Sequence, residues 1–359
     1  MVTLAYIAEG ELDEAQKIID YYMYTPGIWR LGGIIEAFVA ATPIEGYDWS
    51  VRTGANVWLG IAAGHLYFHT NDERYLKFAE RIAELPLSLQ NQDRNSPNFG
   101  GVTLGPPGGP NVAGDQHIGY DSRLPAFSEI YATEISIDAY VLFKLLHKAT
   151  GSKKYIHAAD KCLHWLKKNG LNRTEHRFNR GYRDDIVATD IQSWGVSALG
   201  VELLDSFEKG LAENMVRFVE KNCLSLVEYK TPDKGKIMVR GVDFIDKQRA
   251  ADLGRKPLVT FEWSFQFINA YRRLENDFRQ RGEDDKVRLY QEKRKCLLES
   301  LLAAASEQKE GLVYPYATES DAVVGHEYNT PAEGNFSAIS AAHAILALKG
   351  FDPLVLRSD

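Results

Sequence analysis

The sequence predicts an all-α fold in which two kinds of helix alternate as stacked pairs around a barrel, and three observations carry that expectation. Some segments are apolar on one helical face only, others are apolar around most of their circumference, and the turn joining one kind to the other recurs along the chain. Convincing β-hairpin alternation is scarce, which sets a parallel-sheet enzyme aside.

The one-faced kind comes first in the argument. Tyr75, Phe78, Ala79 and Ile82 fall on one stripe, as do Tyr155, Ala158, Ala159, Cys162, Leu163 and Leu166, with charged residues opposite. Spacing of three and four marks an amphipathic helix on an outer surface. The other kind covers Leu59 to Phe68, Ala139 to Leu146, Val196 to Leu204 and Phe336 to Leu348, and a helix apolar all round is buried on both sides. HTNDERY precedes one outer helix and KATGSKKY another, so the pair is an internal repeat.

Inner segments begin near Val2, Asn56, Glu134, Asp190, Glu262 and Asn335. Their spacings of roughly 50 to 80 residues suit helical repeats carrying insertions. Six inner helices ringed by outer ones make a barrel, expected here as a single domain over 1–359. The first inner segment is short, and the last, ending near Gly350, has no outer helix after it. Either an upstream helix precedes Met1 or the ring closes imperfectly.

Three long irregular stretches are expected between the repeats, at 91–131, 228–259 and 311–334. Loops of that length in a compact domain serve as lids or binding walls, and all three lead into the starts of inner helices. The run GGVTLGPPGGPNVAG has neither the lysine nor the preceding strand of a phosphate loop, so it takes no nucleotide role.

The net charge of −7 is spread along the chain. That distribution argues against nucleic acid or anionic lipid as the main partner and suits a neutral or weakly charged ligand. Cys162, Cys223 and Cys296 are far apart and odd in number, and they read as buried free thiols. No stretch is apolar and long enough to span a bilayer, and MVTLAYIAEGELDEAQ lacks the features of a signal peptide. The expectation is a soluble chain, cytoplasmic unless an upstream signal has been removed.

The first two turns of the later inner helices carry a series: Arg52, Asn56 and Trp58; Glu134 and Asp138; Asp190, Gln192 and Trp194; Glu262, Trp263 and Gln266; Glu333, Asn335 and Phe336. In a ring of antiparallel pairs all inner helices point the same way, so these residues are expected to meet at one mouth of the barrel. Cleaving a glycosidic bond needs one carboxylic acid to protonate the leaving oxygen and one carboxylate to activate water or attack the anomeric carbon. Tryptophan faces stack on a pyranose, while amides and arginine bind its hydroxyls. Burial against tryptophan raises a carboxyl pKa, and Glu262 beside Trp263 is a candidate for that effect.

Capping and the helix dipole favour acids at helix starts with no catalytic role at all. Trp58, Trp194 and Trp263, taken singly, also fit a core. Capping does not call for tryptophan and amide beside the acid in helix after helix. Asp138, four residues after Glu134, shares its helical face, which calls for a shared proton, a ligand or a cation unless one of the two points to solvent.

His65, His117, His147, His326 and His343 lie near apolar or loop segments, without metal-ligand spacing. His65 and His343, inside inner helices, read first as satisfied core histidines and second as acid–base groups. The basic residues of RGVDFIDKQR read as a solvated loop wall, with Arg240 placed to meet an acidic sugar.

At these residues the sequence resembles the six-hairpin glycosidase-like superfamily, the (α/α)6 barrels that include glucoamylase-like and endoglucanase-like hydrolases, sugar epimerases and some polysaccharide lyases. The carriers are TGANVWLGIAAGHLYFHTNDERYLKFAERIAEL, ATEISIDAYVLFKLLHKATGSKKYIHAADKCLHWL, ATDIQSWGVSALG, FEWSFQFINAYRRL and AEGNFSAISAAHAILAL, and the resemblance spans nearly the whole chain. It implies an all-α (α/α)6 toroid, a six-hairpin barrel that is complete or lacks part of its first helix pair. It also implies catalytic acids at the cleft ends of inner helices, here Glu134, Asp190, Glu262 and Glu333.

Hydrolysis of an oligo- or polysaccharide is the first expectation, with Glu262 or Glu134 as general acid, Asp190 as general base and Glu333 in reserve. Arg52, Asn56, Trp58, Asp138, Gln192, Trp194, Trp263, Gln266 and Asn335 are the expected sugar-binding residues. Carboxyls roughly 6.5 to 9.5 Å apart give inversion, and about 5 Å gives retention. Three alternatives stay open: an epimerase or isomerase using a histidine pair, a lyase acting on an acidic sugar, and a non-catalytic carbohydrate-binding barrel. The last gains little from desolvating carboxylates. Neither a cofactor nor a metal is expected.

Overall fold

The structure, a computed structural model, describes residues 1–38, 46–113, 116–121, 126–309, 311–326 and 328–355, with the backbone alone described at 46–47, 109–113, 116–121 and 126. Twelve α-helices follow among the described residues: α1 Val2–Glu9, α2 Leu12–Tyr24, α3 Thr53–Thr70, α4 Glu73–Leu89, α5 Thr133–Thr150, α6 Lys153–Trp165, α7 Thr189–Phe207, α8 Leu211–Asn222, α9 Lys247–Asp252, α10 Phe261–Gln280, α11 Asp284–Ala303 and α12 Ala338–Lys349. The described strands form two-stranded antiparallel hairpins only. No described helix is long and apolar enough to cross a membrane.

The chain divides into two compact units, one of 1–9, 171–179 and 185–355, the other of 10–170 and 180–184 among the described residues. In the second unit α3 pairs with α4 and α5 with α6, and α3 packs on α5. Small residues set that approach. A Cβ at Gly64 would stand 2.2 Å from Leu145 Cδ2, and one at Gly60 would stand 3.1 Å from the Leu142 methyls. In the first unit α7 pairs with α8 and α10 with α11, α7 and α12 both pack on α10, and the short α1 packs on α12.

The turn that recurs in sequence recurs in hydrogen bonds. Asn71 at φ 56° and Gly151 at φ 68° end α3 and α5 in the left-handed region, and their N–H groups donate to the carbonyls of Tyr67 and His147. Just before them Thr70 and Thr150 donate to Leu66 and Leu146 at 2.8 and 2.7 Å, and the same hydroxyls accept from Asp72 and Ser152. Two different strings thus satisfy the same orphan carbonyls in the same way.

A second repeated device places the functional ends. After each outer helix the chain returns to the start of that pair's own inner helix. Thr53, Thr133, Thr189 and Phe261 donate their backbone N–H groups to Leu104, Arg180, Phe244 and Tyr316 at 2.8, 2.9, 3.1 and 3.1 Å. At each of these four starts, one donor that the helix cannot satisfy internally anchors a loop.

The stretch expected to be irregular at 228–259 is partly regular. Leu224–Thr231 and Gly235–Val242 form an antiparallel ladder in unbroken register, from Gly235 opposite Thr231 to Val242 opposite Leu224. Its signal is the turn TPDKG between strand-forming runs, closed by Thr231 accepting from Lys234 and donating to Gly235. Shorter hairpins occupy parts of the other two stretches, Gly109–Ala113 with Gln116–Asp121 and Ser306–Gln308 with Gly311–Val313.

Candidate active site

In the first unit Asp190 and Glu262 stand in the first turns of α7 and α10, 5% and 8% exposed. The return segment anchored on Phe261 brings Tyr316 to them. Burial, then the charge of Glu262, then Tyr328 and lastly Asp190 drive the Tyr316 phenol far above its ordinary pKa, so the charges of both carboxyls reach one hydroxyl. The Tyr316 and Tyr328 hydroxyls are 3.2 Å apart. Phe244, from the segment anchored on Thr189, meets Trp263 edge-on at 4.7 Å between centroids and packs on Tyr316 at 5.4 Å and Tyr328 at 6.4 Å. His326 lies 5.8 Å from the Trp263 ring, with Nε2 3.3 Å from the Phe244 carbonyl, which makes that nitrogen the donor.

The acids are held by their own helices. Asp190 Oδ1 accepts the Ile191 N–H at 2.8 Å, where the positive end of the helix favours negative charge. Gln266 Nε2 donates to Glu262 Oε1 at 3.2 Å and lies 3.3 Å from His343 Nε2. The buried Gln266 Oε1 has no hydrogen-bond partner. Two carboxyls, two phenols and an indole therefore lie in one region of the first unit, and Gln266 adds a buried amide acceptor without a partner.

The second unit carries its own acid. Glu134 is half-buried at the start of α5; burial raises its pKa, and the guanidinium groups of Arg180 and Arg52 pull it back. Arg52 stands 5.3 Å over the Phe127 ring and 3.9 Å from the Asp48 carboxylate, while Arg180 Nε donates to Asp184 at 2.6 Å. Asp138, 1% exposed, follows one turn later. Two guanidinium groups thus act on Glu134, and that of Arg180 comes from a loop that sequence reasoning passed over. Asp190, Glu262, Trp263 and Gln266 gather in one unit, and Arg52, Glu134 and Asp138 in the other.

Two amides expected on the sugar turn out to hold backbone. Asn56 accepts from the Ile34 N–H at 2.7 Å and donates to the Ile34 carbonyl at 2.9 Å and to Arg52 at 2.9 Å. Gln192 does the same for Phe178, at 2.8 and 2.9 Å, and donates to Ala188 at 3.3 Å. Both clamp a hairpin peptide against the fourth residue of an inner helix, so a repeated structural need supplies a repeated amide. Asn56→Ala or Gln192→Ala is expected to cost about 2 kcal/mol by orphaning buried peptide groups. Urea unfolding measures that loss, whereas KM per folded molecule should stay unchanged; a raised KM at full stability would return these amides to the substrate.

Glu333, Asn335 and Phe336 are exposed and precede the last helix, which begins at Ala338 after Ser337 caps it by accepting from Ser340 at 3.1 Å. The expected inner-helix position for them is corrected accordingly: the cap is Ser337, and the Asn335 amide bonds the nearby Ala332 carbonyl. Trp58 and Trp194 are half-buried. His147 Nδ1 lies 3.1 Å from the Ser152 carbonyl in the interhelical turn, and the His117 side chain lies outside the described residues. Cys162 and Cys223 are buried, each thiol pushed up to about 12 by burial, but Cys296 is exposed, contrary to expectation. No group of three metal-ligating side chains forms among the described residues.

His65 and His343 are 8% and 4% exposed. Burial lowers the His343 pKa from 6.5 to about 3, so its imidazole is neutral at physiological pH and accepts from Gln266. Between those two values the unfolded chain takes up a proton that the folded chain refuses, so stability should fall as pH drops through the window. A His343→Gln chain is expected to lose less stability between neutral and acid pH, read as the shift in urea midpoint. An equal shift in both chains would remove His343 as the cause.

No family model matches the sequence, and comparison with curated proteins finds no match. Solved structures do match. A sugar epimerase from a ruminal bacterium is 13% identical with TM-score 0.61 over 98% of this chain and 85% of its own. Cellobiose 2-epimerase from Bacillus thermoamylovorans is 9% identical with TM-score 0.62 over 97% and 84%. A family 76 glycoside hydrolase, an α-mannanase from Bacteroides thetaiotaomicron, is 12% identical with TM-score 0.58 over 98% and 83%. The likeness shows the fold alone, all-α and of the (α/α)6 class, as the sequence predicts.

Proposed function

We propose that this chain is a glycoside hydrolase acting on an oligo- or polysaccharide, with Glu262 as general acid and Asp190 as general base. The observation that carries the reading is that both carboxyls stand buried in the first turns of inner helices of one unit, with charges that both reach the Tyr316 phenol. Hydrolysis needs two acids with different duties. Glu262 stands among Tyr316, Trp263 and Gln266, a setting suited to delivering a proton to the leaving oxygen. Asp190, at the positive end of α7, is suited to receiving one from water. Tyr328, 42% exposed, offers a ring to a pyranose face, and Gln266 Oε1 is a buried acceptor without a partner. The similarity to an α-mannanase supports a saccharide substrate. The test is a reducing-sugar and mass-spectrometric screen of mannans, glucans, galactans and acidic polysaccharides with the native chain and Glu262→Gln. Shorter products made only by the native chain support hydrolysis; equal products from both chains end it.

Epimerisation is the second reading, favoured by His326 against Trp263 and by the similarity to two epimerases. Its acid–base chemistry calls on histidine beside a sugar carbonyl, and His343, neutral down to about 3, is poorly suited to the second role. A reducing sugar that changes configuration without cleavage, and stops doing so in His326→Asn, would favour it over hydrolysis.

A further inference from the structure

A groove of about 760 Å³ opens in the first unit, and neither Asp190 nor Glu262 lines it. One face of α8 supplies Asn214, Arg217, Phe218 and Lys221 at helical spacing, and α9 and the segment 185–187 wall it. Phe244 sends its ring to Trp263 and Tyr316, and Asp246 lines the groove. No groove residue belongs to the acid site.

Several groups there are uncommitted. Among the described residues the side chains of Asn214, Lys221 and Asp185 make no hydrogen bond or ion pair, and Arg249 Nε is shut off from water without a partner. The floor is preformed, because Arg177, 3% exposed, is held by Glu175 and by the carbonyls of Phe178 and Asp185, with its guanidinium 5.2 Å from the Phe218 centroid. Its volume falls in the range of small-molecule sites, roughly 300 to 1,000 Å³. The cations Arg217, Lys221 and Arg249 face the acids Asp185, Asp246 and Asp252, so neither sign dominates. A phosphate chain or polyanion would meet as much repulsion as attraction. An uncharged ligand dense in hydroxyls is matched at each point, its protons by carboxylates and its oxygens by amide, ammonium and guanidinium.

We propose that this groove is a second saccharide-binding site, which holds an uncharged oligosaccharide chain outside the acid site. The proposal rests on the reading of the chain as a carbohydrate enzyme. Calorimetric titration of the full chain with mannotetraose, cellotetraose and galactotetraose tests it, in an Asp190→Asn/Glu262→Gln background that abolishes turnover. One tetraose is expected to bind, and Lys221→Ala/Arg249→Ala is expected to weaken one class of sites by about tenfold or more, the worth of one to two net hydrogen bonds. Asn214→Ala on the same face gives an independent second variant, and an unchanged thermal melt certifies folding of each. Unaltered binding in the folded groove variants overturns the proposal. So does the absence of binding by any tetraose, or binding of glucuronate or inorganic phosphate there in their place. A native chain that binds in the groove but hydrolyses nothing defeats the hydrolase reading alone.

Discussion

Glu262→Gln is expected to lower kcat on the cleaved saccharide about a thousandfold, within the range of a lost general acid, while KM changes little. The amide keeps the size of the carboxyl and can still bond Gln266, which meets Glu262 at 3.2 Å, so the surroundings have no reason to move. What disappears is the proton for the leaving oxygen. Asp190→Asn should cost a comparable factor by removing the acceptor for the proton of water, and the double variant should cost far less than the product, because the two groups act in one transition state. A substrate whose leaving group needs no protonation, such as an activated aryl glycoside, should restore much of the rate to Glu262→Gln but not to Asp190→Asn. That split separates the two roles. Equal rescue of both variants, or full activity in either, would sink the assignment.

The helix pairs were legible because their pattern is dense. The stripe through Tyr75, Phe78 and Ile82 and the all-round apolar run from Leu59 to Phe68 leave one consistent packing for each. The hairpin at 224–242 was less so, since an exposed two-stranded ladder needs no continuous apolar face and leaves Leu226 and Met238 each 54% exposed. At the site, Asp190, Glu262, Trp263 and Gln266 follow from their places in the first turns of inner helices. Tyr316, Tyr328 and Phe244 do not, because they come from return segments whose destination is set by backbone bonds near a helix start. Asn56 and Gln192 show the opposite failure. Their recurrence is real, but the recurring need is a peptide clamp, and sequence alone does not separate an amide held for a sugar from one held for a backbone.

Gly200 is a position where one added carbon should damage folding. The run SWGVSALGVELL reads as one uninterrupted inner helix, yet at Gly200 the backbone turns to φ 69° and ψ 175°, a region open to glycine and closed to other residues. The break frees the Val201 N–H, which donates to Asp277 Oδ2 at 2.7 Å. Arg273 completes the splice, donating to the Ser197 carbonyl at 3.0 Å and to Asp277 at 3.0 Å. A Cβ on Gly200 would stand 2.1 Å from Arg273 Nη2. Gly200→Ala therefore combines backbone strain of about 1 to 3 kcal/mol with displacement of the guanidinium, for a total of roughly 3 kcal/mol or more. Denaturant unfolding reads it directly. In an Arg273→Ala background the steric share has already gone, so the same change should cost only the backbone share, a coupling that a double-mutant cycle isolates. Gly151→Asn is the control: it too has positive φ but nothing within 4 Å of its Cβ, and Asn71 fills the equivalent turn at φ 56°. If Gly200→Ala proves as mild as Gly151→Asn, α7 runs through Gly200 without a break, and Arg273 and Asp277 are surface charges rather than a splice.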